Sequence, residues 1–123
     1  MIGYITLGTN DIEKATGFYD ALLGELGARR IVSDDHIRMW SVAKGAPMFS
    51  VIKPYDGKPA TIGNGTMPAI AVDSIETVAK LHAKALELGG TDEGAPGPRR
   101  NDTMEFGYVR DLEGHKLAFF CMR

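Results

Sequence analysis

Two stretches of the chain carry apolar residues at helical spacing, each bracketed by its own start and stop signals. From about Asp11 to Leu26, Ile12, Ala15, Phe18, Tyr19, Leu22, Leu23 and Leu26 fall on one stripe. Asn10 stands as N-cap with Glu13 three residues on, and Gly27 stops the helix. From about Ser74 to Leu88 the stripe is Ile75, Val78, Leu81, Ala85, Leu86 and Leu88. Asp73 caps it with Glu76 three residues later, and Gly89-Gly90 ends it. Between and after the helices the period shortens. Ala28 to Ser33, His36 to Ala43 and Met48 to Lys53 read as a three-strand meander, separated by polar, Gly- and Pro-containing turns. Thr91 to Arg100 reads as a weak strand, followed by Thr103 to Arg110 and Lys116 to Cys121.

Superposing the two N-caps, Asn10 on Asp73, sets an offset of 63 residues, and the rest follows without gaps. Ile12 pairs with Ile75, Glu13 with Glu76, Leu23 with Leu86 and Gly27 with Gly90, while upstream Leu7 pairs with Ile70 and Thr9 with Val72. The expected fold is α+β: two βαβββ modules, one about 1–57 and the other about 66–123, joined by a Pro- and Gly-rich connector at about 54–65. Together they form a single domain over 1–123. Each helix has one apolar stripe to bury, so both belong on the outer face of a curled mixed sheet, leaving a concave face as a ligand cavity.

Composition narrows the partners. The 123 residues are 44% hydrophobic and 24% charged, with a formal net charge of -2, which supplies neither a basic face for phosphate backbones nor an apolar span for a membrane. Nucleic acid and membrane are therefore not expected partners. The lone Cys121 has no internal disulfide partner and sits beside Phe119 and Phe120, as a buried, inert thiol does. Met1 to Leu7 lacks the features of a secretion signal and reads as the first strand, so the expected location is cytoplasmic.

The opening Leu7-Gly8-Thr9-Asn10-Asp11-Ile12-Glu13-Lys14-Ala15 with Phe18-Tyr19, and the closing Val109-Arg110-Asp111-Leu112-Glu113-Gly114-His115-Lys116-Leu117, resemble the vicinal-oxygen-chelate superfamily. That superfamily comprises glyoxalases, bleomycin-resistance proteins and extradiol dioxygenases. Pro54 to Gly65 is similar to the same stretch in short single-domain bacterial members. The resemblance spans the whole chain and implies a homodimer around a small-molecule cavity. In metal-using members, the first and last strand of each module each supply one ligand to a divalent ion. The equivalent positions here are Tyr4, Phe49 or Ser50, Met67 and Ala118, none of them a usual ligand. An apolar, aromatic cavity floor without a metal cofactor is the expected consequence.

The remaining candidates carry alternatives. Alternation in Thr103 to Val109 puts Glu105, Gly107 and Val109 on one face, with Met104, Phe106 and Tyr108 on the other. Glu105 is the candidate pocket acid and the one weak catalytic candidate, against the commoner exposed strand-edge glutamate. Trp40 is either core or a stacking platform in the cavity. His82 takes the place of Tyr19 in the repeat and is read as structural, His115 as solvent-facing after a turn, and His36 as either a loop-edge or a pocket residue. Arg99 and Arg100 either cap the cavity and receive an anion or form a solvated turn.

Two functional readings follow. One is a metal-free module that sequesters or senses a hydrophobic or aromatic compound in a pocket lined by Tyr4, Trp40, Phe49, Met67, Glu105 and Ala118. The other is a glyoxalase-like lyase or isomerase, or a dioxygenase, holding a divalent metal through non-standard ligands drawn from Glu105, His36 and His115.

Overall fold

A computed structural model describes all of residues 1–123. The chain divides into two compact units, Met1–Ile62 and Gly63–Arg123. The first contains β1 (Tyr4–Gly8), α1 (Ile12–Gly24), β2 (Arg29–Ser33), β3 (Ile37–Ser41) and β4 (Met48–Ile52). The second repeats the order with β5 (Ala69–Ala71), α2 (Ile75–Glu87), β6 (Thr91–Arg99), β7 (Met104–Arg110) and β8 (Lys116–Met122). Each unit holds one four-stranded mixed sheet, ordered β1-β4-β3-β2 in the first and β5-β8-β7-β6 in the second. In both, the first and last strands run parallel and the other pairs antiparallel. The fold is thus α+β, with βαβββ present twice.

Both helix starts lie one residue beyond the expected caps. Asp11 accepts the Lys14 N–H at 3.1 Å and Ser74 accepts that of Thr77 at 3.1 Å. The caps thus run from position 11 to position 74, again 63 residues apart. Asn10 is occupied elsewhere: its side chain accepts the Ala60 N–H at 2.7 Å and donates to the Ala60 carbonyl at 3.3 Å. Part of the connector is thereby folded onto the first unit. Gly8 allows this approach, since a Cβ there would lie 2.9 Å from that of Ala60.

In the first unit, α1 packs Phe18, Tyr19, Leu22 and Leu23 onto the sheet, where Trp40 and Val51 are also buried. In the second, Val78, Leu81, His82 and Ala85 of α2 face Val109, Leu117 and Phe119 from the strands. Ile75 and Leu86, expected on the buried stripe, are each 37% exposed and lie at its margin.

The β6–β7 loop stores strain. Arg100, Asn101 and Asp102 all have left-handed backbone, with φ of 54°, 56° and 62°, a region costly to residues with a Cβ. Arg100→Gly is expected to stabilise the fold by about 0.5–1 kcal/mol, the relief of strain exceeding the extra freedom of the unfolded chain. Urea midpoints check this, and a midpoint equal to or below that of the parent would show that the loop is not strained.

Candidate functional site

Strand register decides which side chains lie under each helix and which lie on the opposite face. In the first sheet Trp40 is directly opposite Phe49, which pairs with Ile5, and Tyr19 of α1 lies against both rings at centroid distances of 5.8 and 4.7 Å. Trp40 is 1% exposed and its indole N–H donates to Asp20 of α1 at 2.8 Å. Trp40 and Phe49 therefore belong to the helix-side core, a correction to their expected place in a cavity. The pleat fixes it: both share parity with Val51 and Arg38, and Arg38 reaches Glu13 of α1 at 2.8 Å.

The face away from α1 carries Tyr4, Thr6, Met39, Ser50 and Ile52. Of the two alternatives at the last-strand position, Ser50 and not Phe49 shares a face with Tyr4. Tyr4 is 56% exposed, whereas Ser50 is fully buried and its hydroxyl has no hydrogen-bond partner.

The second sheet sorts in the same way. A Cβ on Gly107 would touch His82 and Val78, so Glu105, Gly107 and Val109 lie on the α2 side. Glu105 is buried there, opposite Cys121 on β8 and 3.8 Å from the Arg123 guanidinium, and does not enter the expected pocket. The face away from α2 carries Phe106, Tyr108 and Arg110 from β7, Lys116, Ala118 and Phe120 from β8, and Ala69 and Ala71 from β5. Ala118 is fully buried and Met67, just before β5, is 37% exposed.

On this second face Phe106 is nearly parallel to Tyr108 (9°, centroids 5.5 Å) and to Phe120 (14°, 5.3 Å). Two cations stand over Tyr108: the Lys116 ammonium at 5.1 Å and the Arg99 guanidinium at 5.7 Å from the ring centre. Arg110 pairs with Glu93 at 3.0 Å, which holds that carboxyl below its ordinary pKa. Phe106, Tyr108, Phe120 and Lys116 lie outside the site expected from sequence, and the only sequence signal for them is the alternation that sets Phe106 and Tyr108 opposite Glu105.

The histidines are apart. His82 bonds Asp92 at 2.8 Å, and this bond keeps the Asp92 carboxyl below its usual range. His115 is 4% exposed, correcting its expected solvent-facing place, because the turn that presents it folds inward on Asp111. His36 is exposed at the edge of a cleft of about 600 Å³ that also borders Asn10, Lys53, Tyr55 and Lys58. Its backbone N–H and that of Ile37 bond Asp34, which lowers that carboxyl's pKa. Nowhere do three His, Cys, Asp or Glu side chains gather in a way that could hold a metal ion. No helix is long and apolar enough to cross a membrane.

The family model for the glyoxalase/bleomycin resistance protein/dioxygenase superfamily matches residues 1–119. A solved glyoxalase/bleomycin resistance protein from Albidiferax ferrireducens is 34% identical, with a TM-score of 0.91 over 100% of this chain and 99% of its own. A glyoxalase/bleomycin resistance protein/dioxygenase family enzyme from Burkholderia phytofirmans is 19% identical, with a TM-score of 0.79 over 98% of each chain. A lactoylglutathione lyase from Agrobacterium tumefaciens shares the fold at 15% identity, with a TM-score of 0.73 over 98% of this chain and 92% of its own. No curated protein matches the chain.

Proposed function

The chain belongs to the glyoxalase/bleomycin resistance protein/dioxygenase superfamily, and from that premise we propose that it is a metal-free member that binds a small hydrophobic or aromatic molecule, to sequester or sense it. The observation that carries the reading is the donor set at the four positions where metal-using relatives hold their ion. Tyr4 offers a phenol, Ser50 a neutral hydroxyl, Met67 a thioether and Ala118 nothing. Hard divalent ions want carboxylates or carbonyls and borderline ones want imidazole or thiolate, so these residues do not fit the group.

What the two faces offer suits binding. On the first sheet's face away from α1, Tyr4 and Ile52 are accessible and offer a phenol ring and an aliphatic chain. The Phe106, Tyr108 and Phe120 rings supply area for a planar apolar molecule.

Elemental analysis of untagged protein is expected to find metal far below one equivalent, together with no turnover of a methylglyoxal and glutathione mixture. Near-stoichiometric zinc, nickel, iron or manganese, retained through dialysis, would sink the proposal in favour of a metal-dependent lyase, isomerase or dioxygenase.

A further inference from the structure

The chemical class of the ligand can be carried further, on the premise that the protein binds a small molecule through the second sheet's face away from α2. We propose that this ligand is a planar aromatic anion, its ring laid against Phe106, Tyr108 and Phe120 and its negative group received by Lys116 and Arg99.

The rings come first. Tyr108 follows Phe106 by two residues on β7, and Phe120 is the cross-strand partner of Phe106, so the pleat brings all three to one side. Their small interplanar angles make the three rings one offset stack rather than three unrelated rings. Tyr108 leans over β6, where a Cβ on Gly94 would stand 2.8 Å from its ring, and so away from its β8 partner Ala118. The neighbouring positions Ala69 and Ala71 on β5 are also small, and both are exposed. A planar molecule thus has a wall of rings beside a floor of methyl groups.

Charge then chooses among planar molecules. Lys116 and Arg99 approach Tyr108; neither is in salt-bridge contact with a carboxylate, and Lys116 acts on Glu93 only at longer range. Arg99 is held in place by bonds to the carbonyls of Pro98 and Ala95, both 3.1 Å, which occupy two of its five N–H donors and leave the others free. The nearby acid, Glu93, is engaged by Arg110. Arg99, Arg110 and Lys116 against Glu93 leave the face positive. A cationic ligand would meet repulsion here, and a neutral one would leave two unpaired cations unused. A carboxylate or other anion attached to an aromatic ring satisfies rings and cations together.

The test compares three naphthalene derivatives of matched shape, naphthoate, naphthamide and naphthylmethylamine, titrated into the full chain by calorimetry. Naphthoate is expected to bind about tenfold or more tightly than the neutral amide, with the amine weakest. Lys116→Met and Arg99→Met should each cut naphthoate affinity by about tenfold and leave naphthamide binding unchanged. Phe106→Ala should weaken both. Equal affinity for all three compounds, or an anion preference that survives both Met substitutions, overturns the anion assignment while leaving small-molecule binding intact. Failure of every compound to bind overturns the assignment together with the premise that this face binds aromatic molecules.

Discussion

Trp40→Ala is expected to destabilise the protein by about 3–5 kcal/mol, the range for emptying a large aromatic site in a packed core. The side chain is 1% exposed, lies against Tyr19 and pairs across the sheet with Phe49. Its loss opens a cavity beneath α1 that the surrounding rings cannot fill without leaving their rotamers. It also strips Asp20 of the indole N–H, leaving that carboxylate with its half-exposed Arg30 partner. Trp40→Phe separates the two effects. It keeps most of the packing but loses the hydrogen bond, and should cost about 1–2 kcal/mol beyond the small change in volume. Urea unfolding followed by far-UV circular dichroism reads both. A Trp40→Ala variant of nearly unchanged stability would contradict the register that sets Trp40 beneath α1.

Trp40 also illustrates what the sequence could and could not reveal. The period of two in a strand separates its residues into two sets, and the register keeps Glu105, Gly107 and Val109 apart from Met104, Phe106 and Tyr108 as the alternation predicts. Alternation does not say which set the helix covers. In a typical amphipathic strand, polarity answers that question. Here both sets are apolar: Val109, Leu117 and Phe119 lie on one side of the second sheet, and Phe106, Tyr108 and Phe120 on the other. In the first sheet the misleading residue is Arg38, whose charge suggests an outward face although its ion pair with Glu13 of α1 holds it beneath the helix. Trp40 shares its parity, and so was open to either assignment. The helices were more legible, because a stripe with a period near 3.6 and paired caps constrain each other. Even there the caps lay one residue late in both modules, and the slip preserved the repeat because Asp11 and Ser74 are themselves equivalent. At the far ends equivalence fails. Gly27 has φ of 77°, but in the second module Gly89 takes the left-handed turn at 102°, leaving Gly90 to the close approach of Arg110 and Ala85 carbonyls at 2.7 and 2.8 Å from a would-be Cβ.

The closing motif of the family, read in this chain as Arg110-Asp111-Leu112-Glu113-Gly114-His115, has a structural reason that predicts the second large effect. Asp111 is 6% exposed, and its carboxylate accepts the backbone N–H groups of Glu113 at 3.0 Å and His115 at 2.9 Å. Its own backbone closes the turn, with its N–H bonded to the His115 carbonyl at 2.9 Å and its carbonyl accepting the Gly114 N–H at 3.0 Å. Gly114 has φ of 98°, which a residue without Cβ adopts readily. Asp111→Ala removes two charge-assisted bonds and leaves the buried His115 N–H without this acceptor, so a loss of about 2–4 kcal/mol is expected. Asp111→Asn retains an acceptor of the same shape and should cost less than half as much. The turn sets the register of β7 against β8, and with it the spacing of Tyr108, Lys116 and Ala118 on the proposed ligand face. The Ala variant should therefore bind naphthoate more weakly even under conditions where it is fully folded, while the Asn variant binds like the parent. Thermal melts and the same calorimetric titration measure the two consequences separately. Equal stability of Asp111→Ala and the parent would mean that water replaces the carboxylate at no cost, and the motif would need another explanation than its turn.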